Sequence, residues 1–117
     1  MSDYTIYHNP RCSKSRQTLQ LLLDNGIEPE IVLYLDTPPK AASLKQLLAK
    51  LGISARDLLR KGEQAYKDLG LSNTGLSEVE LIAAMCAEPK LIERPIVVCG
   101  DQAVLGRPPE NALQLIS

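Results

Sequence analysis

At 117 residues the chain has room for one domain with a genuine core, and its formal charge of −1 excludes the broad basic face that nucleic-acid or anionic-membrane binding would need. No apolar run approaches the roughly 18 residues of a membrane span, and no basic leader precedes an apolar stretch, so neither a transmembrane helix nor a signal peptide is expected. Three cysteines at no zinc-like spacing, with a single histidine, leave a metal site poorly supplied with ligands and point to a reducing, cytoplasmic setting.

Residues 4–8 alternate around Tyr4 and Ile6 and predict a strand. A helix follows from about Ser13 to Asp24, with Leu19, Leu22 and Leu23 as its apolar stripe and Asn25-Gly26 closing it. Glu30 to Leu35, with Ile31, Val32 and Leu33 in a row, reads as a buried strand. This β-α-β order implies a right-handed parallel unit whose active edge lies where strand one meets helix one. Pro38-Pro39 then ends the strand, and helical patterning takes over. Ser43-Leu44-Lys45-Gln46 carries a capping-box signature before Leu47, Leu48 and Leu51, with Gly52 as the stop. Ser54 opens a short helix through Leu58 and Leu59 up to Gly62, and Gln64 to Leu69 makes a weak one. Ser77-Glu78-Val79-Glu80 is a second capping box, for a helix through Leu81, Ile82 and Met85. From Arg94 the period returns to that of a strand: Ile96 to Cys99, a turn at Gly100-Asp101, and Ala103 to Leu105 as hairpin partner. Pro108 and Pro109 open a final helix through Leu113 and Ile116. The plan is βαβ, a helical insert at about residues 41–88, then ββα. No linker interrupts it, so residues 1–117 read as a single domain.

Cys12 is the most informative residue, set in Tyr7-His8-Asn9-Pro10-Arg11-Cys12-Ser13-Lys14-Ser15-Arg16. It stands where the first strand hands over to the first helix, facing unpaired N–H groups and the positive end of the helix dipole. Both favour thiolate over thiol, and the thiolate is the attacking form. Ser15 occupies the slot where a Cys-x-x-Cys motif would carry its resolving thiol, so a second molecule must supply one. Cys86 and Cys99 fall on apolar elements and read as structural.

The β-α-β, β-β-α plan with a proline opening strand three resembles thioredoxin-fold (glutaredoxin-like) proteins, an α/β class with a four-stranded mixed sheet. More specifically, Tyr7-His8-Asn9-Pro10 leading to Cys12, then Leu58-Leu59-Arg60-Lys61, Arg94-Pro95-Ile96-Val97-Val98 and Arg107-Pro108 resemble the glutathione/glutaredoxin-coupled arsenate reductase family, in the same order along essentially the whole chain. The resemblance implies Cys12 as nucleophile, Arg60, Arg94 and Arg107 lining the oxyanion site, His8 close to the cysteine and influencing it, and a cis bond before Pro95. It implies arsenate as substrate, glutathione as co-substrate, glutaredoxin as protein partner and no bound cofactor or metal.

The chemistry suits those residues. Arsenate near pH 7 carries more than one negative charge, so a thiolate attacks it slowly unless cations neutralise its oxygens. The planar guanidinium fork does this with paired hydrogen bonds and keeps its proton. Ser15 is expected to donate a hydrogen bond to the thiolate, and His8 to orient the turn or to favour the thiolate electrostatically. Two other readings share the fold. A glutaredoxin-like thiol oxidoreductase would not need three arginines spread along the chain. An RNA-polymerase-binding redox regulator typically carries Cys-x-x-Cys, against which Ser15 argues. A phosphatase-like arsenate reductase needs arginine six positions after the cysteine; Thr18 stands there and excludes it.

Overall fold

The computed structural model of the chain describes residues 4–116. Two compact units emerge, one formed by the chain up to Thr37 together with the chain from Arg94 onward, the other by Pro38–Glu93.

The first unit is built on a four-stranded sheet. Strand β1 (Tyr4–Tyr7) lies parallel to β2 (Glu30–Val32) and antiparallel to β3 (Ile96–Cys99), which pairs in turn with β4 (Gln102–Leu105), giving the order β2-β1-β3-β4. Helix α1 (Ser13–Asp24) makes the connection between the two parallel strands. Its burial runs through Ser15, Thr18 and Leu22, with Leu19 and Leu21 partly covered, whereas Leu23 is 45% exposed. The expected stripe of Leu19, Leu22 and Leu23 is therefore rotated: positions 15, 18 and 22 share the inward face, and that face is polar at its N-terminal end. Ile6, Leu22, Val97, Ala112 and Leu115 form the core, joined by Tyr4, whose hydroxyl donates to the Leu115 carbonyl at 2.9 Å. Each such aliphatic side chain taken fully from water contributes roughly 1.5–3 kcal/mol.

Two further expectations for this unit need correction. The second strand is shorter than residues 30–35 and is not buried: it sits at the sheet's edge with one neighbour, Ile31 is 48% exposed, and the backbone turns at once, the Leu33 carbonyl accepting from the N–H groups of Asp36 and Thr37. The final helix after Pro108 forms as a 310 helix, Pro109–Leu115.

The second unit is helical: α2 (Ala41–Leu51), α3 (Ala55–Leu58), α4 (Gln64–Asp68) and α5 (Glu78–Ala87), followed by a 310 turn at Pro89–Leu91. Helices α2 and α3 both pack on α5. The expected capping box at Ser43 does not form. Helix α2 begins at Ala41, capped by Lys40 without a side-chain bond, because Ala41 and Ala42 extend the helix back past the serine. Gly52 ends it in the left-handed conformation at φ 71°. Ser77 does close its box with Glu80, and Ser54 closes one with Asp57. Helix α3 stops at Leu58 since Leu59 bridges to Ile92, an antiparallel contact that Arg60 N–H extends by donating to the Leu91 carbonyl at 2.8 Å. Among the described residues no helix is long and apolar enough to cross a membrane.

The two serines in similar sequence patterns separate on substitution. Ser77→Ala is expected to destabilise by about 1 kcal/mol through loss of a cap, and Ser43→Ala to stay within about 0.5 kcal/mol as an exposed change away from any cap. Urea unfolding midpoints for the two variants check both values.

Candidate active site

Strand β1 delivers the chain to a tight turn before α1. Asn9 builds that turn three times over: its carbonyl accepts from Cys12 N–H at 3.0 Å, its side-chain oxygen accepts from Arg11 N–H at 3.0 Å, and its own N–H donates to Ser15 Oγ at 3.0 Å. Arg16 adds a bond from its guanidinium to the Pro10 carbonyl at 3.1 Å. The Asn-Pro pair is the sequence signal for such a turn. The sequence motif marks the cysteine, but it is the asparagine that places it.

Cys12 is the N-cap of α1 and is buried, with extended backbone angles (φ −96°, ψ 123°). Burial alone pushes its thiol up. Four influences oppose this: the backbone N–H of Ser15, the positive charge of Arg94, the backbone N–H of Lys14 and a hydrogen bond from the Arg94 guanidinium. They prevail, and the Cys12 thiol lies below its ordinary value of 9.0. Cys86 shows the contrast. It lies on α5 with burial and no such donors, and its thiol is pushed up.

The expected bond from the Ser15 hydroxyl to the sulfur is replaced by one from the Ser15 main chain. The hydroxyl, fully buried, is engaged elsewhere: it lies 2.7 Å from His8 Nδ1 and accepts from Asn9 N–H. His8 is itself buried, and burial, then the charge of Arg16, lower its pKa from 6.5. The imidazole is thus neutral at pH 7, and the electrostatic route from His8 to the thiolate has no cation to act through. What the ring supplies is a fixed partner for Ser15 and, through it, for the turn.

Of the three arginines singled out in the sequence, two lie in the same unit as the thiol. Arg94 bonds to the Cys12 sulfur, and the Arg107 guanidinium donates to the Arg94 carbonyl at 3.4 Å. The peptide bonds Arg94–Pro95 and Arg107–Pro108 are both cis. Arg60 belongs to the helical unit, where its guanidinium pairs with Glu63 and with Glu93, the latter at 3.8 Å. Beside the turn, a cavity of about 290 Å³ is lined by His8, Asn9, Pro10, Arg11, Leu33, Leu35 and Asp36. Neither Cys12 nor Arg94 is among its walls, so it is not the space the sulfur shares with its arginine. Among the described residues no group of three or more His, Cys, Asp and Glu side chains could hold a metal ion.

A cysteine at a strand-to-helix turn, backbone donors facing its sulfur, a proline-led third strand opposite and the sheet order β2-β1-β3-β4 together define a thioredoxin-like protein with an activated thiol. The chain belongs to the ArsC family, whose model matches residues 7–115. It is 59% identical over 112 residues to the uncharacterized protein YfgD of Escherichia coli strain K12, covering 95% of this chain and 94% of that one. It is 49% identical to an arsenate reductase of Neisseria meningitidis, covering 95% and 96%. The solved structure of an arsenate reductase from Vibrio cholerae superposes with a TM-score of 0.95 at 51% identity, over 97% of both chains.

The neutral, buried His8 makes stability depend on pH in a defined direction. The unfolded chain takes up a proton near 6.5 while the folded chain does not until lower pH, so stability falls as pH drops below 6.5 toward the lowered native value. His8 is the sole histidine. Urea unfolding at intervals between pH 7 and pH 5 is expected to show this loss in the wild type and a flatter profile in His8→Gln.

Proposed function

We propose that this chain reduces arsenate to arsenite, with Cys12 as the nucleophile and glutathione and glutaredoxin as the source of thiols and electrons, in the cytoplasm where those thiols are kept reduced. The observation that carries the reading is the Cys12 thiol held below its ordinary value by Arg94 and two backbone N–H groups. The membership of the chain in the ArsC family and its likeness to proteins named arsenate reductase support the choice of substrate.

In the proposed reaction the Cys12 thiolate attacks arsenic and forms an S–As bond while one arsenate oxygen leaves as water, taking up two protons. Arg94 and Arg107 bind the remaining oxygens, lowering the repulsion between two anions. The thiol of glutathione then displaces a second oxygen as water, giving arsenic bonded to both sulfurs. Glutaredoxin's thiolate attacks the glutathione sulfur, forming a disulfide between them. The electron pair of the broken S–As bond passes to arsenic, which goes from As(V) to As(III). Water finally replaces Cys12 on arsenic, arsenite leaves and the Cys12 thiolate returns. The two electrons gained by arsenic come from the thiols of glutathione and glutaredoxin, which end as one mixed disulfide, and no second thiol of this chain is consumed.

His8 and Ser15 act on this scheme by fixing the turn that presents Cys12. The proposal keeps Arg60 as a third cation for the oxyanion, on the strength of the resemblance. Its charge is shared with Glu63 and Glu93, so its share in the reaction is smaller than that of Arg94.

The test is arsenate-dependent NADPH oxidation with glutathione, glutathione reductase and glutaredoxin supplied. Cys12→Ser is expected to be inert, while Cys86→Ser and Cys99→Ser retain most of the rate. Arg94→Ala is expected to lose about 100-fold in kcat/KM, the usual cost of one transition-state donor, and Arg60→Ala about tenfold, or about 1.4 kcal/mol. A Cys12→Ser protein that still turns over arsenate, or three cysteine variants that behave alike, refutes the proposal.

A further inference from the structure

Gly106 is buried, and its neighbours leave no room for a side chain. A Cβ there would lie 2.6 Å from Thr18 Oγ1, 2.7 Å from Pro95 Cγ and 3.0 Å from Thr18 Cγ2. The glycine is also bonded on both sides: its N–H donates to the Pro95 carbonyl at 2.9 Å, and its carbonyl lies 3.4 Å from the Thr18 hydroxyl. Thr18 is fully buried on α1 and donates to the Lys14 carbonyl at 2.8 Å. Lys14 is in turn one of the two residues whose N–H groups face the Cys12 sulfur. One contact therefore joins three pieces of chain: the first turn of α1 below Cys12, the proline directly after Arg94 and the glycine directly before Arg107.

We propose that Gly106 and Thr18 are positioning residues that set the depth at which α1 seats against the two arginine-bearing loops, and so hold the Arg94 guanidinium on the Cys12 sulfur with Arg107 beside it. Neither residue touches the anion; both act through Cys12 and the arginines. The assignment rests on reading Cys12 and Arg94 as the reacting pair. Its leverage is geometric. Any methyl group at position 106 must push either Thr18, and with it the helix, or Pro95, and with it Arg94. A displacement of a few tenths of an ångström is enough to lengthen a charge-assisted bond out of its strong range, and misplacement by about 1 Å costs a catalytic site about 100-fold. The burial of a threonine at position 18 finds its use here. The hydroxyl bonds within the helix and lies 3.4 Å from the Gly106 carbonyl, and the small branched side chain admits the glycine's Cα.

The experiment reads Cys12 directly. In a Cys86→Ser/Cys99→Ser background, where Cys12 is the one thiol left, the rate of iodoacetamide alkylation is measured against pH, alongside circular dichroism and the KM for arsenate. Gly106→Ala is expected to keep its secondary structure, to move the alkylation midpoint up by about one pH unit, equal to about tenfold less thiolate below both midpoints, and to raise the KM. A folded Gly106→Ala with the wild-type midpoint and KM overturns the inference. Should Gly106→Ala fail to fold, Thr18→Val and Thr18→Ser decide: the first is expected to raise the midpoint and the second to restore it, and a wild-type midpoint in Thr18→Val overturns the inference. Alkylation needs no arsenate, so a shifted midpoint in a protein that never reduces arsenate keeps the positioning role while removing the proposed function.

Discussion

A thiolate sheltered from water is costly unless donors replace its hydration, and the described architecture around Cys12 answers that one requirement. Burial alone would make the thiol a weaker acid, as it does at Cys86. At Cys12 the same burial is outweighed by the N–H groups of Ser15 and Lys14 and by the charge and hydrogen bond of Arg94. Low local polarity strengthens each of these, since a donor aimed at a desolvated anion competes with no water. The helix supplies the N–H groups only because Cys12 occupies the N-cap, and it occupies the N-cap because the Asn9 turn ends β1 at that point.

The donors come from distant parts of the sequence, so the sheet is what brings them together. Strand β1 leads to the cysteine, and β3, paired antiparallel with it, begins one residue after Pro95, so that Tyr7 lies opposite Ile96. Arg94 thereby enters beside the turn that holds Cys12. The hairpin partner β4 ends at Leu105, opposite Ile96, and returns the chain to Gly106 and Arg107 at the same edge. Register thus brings the Arg94 guanidinium to the sulfur, and the Arg107 guanidinium to the Arg94 carbonyl, without any local sequence signal linking them.

How much of this is legible in the sequence differs by element. Helix α1 has the expected bounds of Ser13 and Asp24 because a turn precedes it and Asn25-Gly26 follows, both local signals. The β3–β4 hairpin, the helix start at Ser54 and the capping box at Ser77 are local as well. The Ser43 pattern failed because a capping signature marks a possible start, and the two alanines before it allowed an earlier one. The exposure of Ile31 was hidden because an apolar run does not reveal whether its strand has one neighbour or two. Within the site, Cys12 and the arginines were readable as residue types in motifs. The pairing of Arg60 with Glu93 and the seat of Gly106 on Thr18 and Pro95 were not, since both are tertiary contacts between segments that carry no pattern in common.

Ser15 joins these threads. In the sequence it stands as an absence, the place where a resolving cysteine is missing. In the structure it is fully buried, with its oxygen accepting from Asn9 N–H and sharing a hydrogen bond with His8 Nδ1. A thiol in that position would be larger and a weaker acceptor, leaving a half-buried N–H poorly satisfied at the turn that presents Cys12. The hydroxyl is therefore part of the same turn that sets Cys12 before the N–H groups lowering its thiol. A chain that uses position 15 to build its turn has no thiol there to resolve an adduct on Cys12, and under the proposed reaction the dependence on an outside thiol follows from how the turn is held.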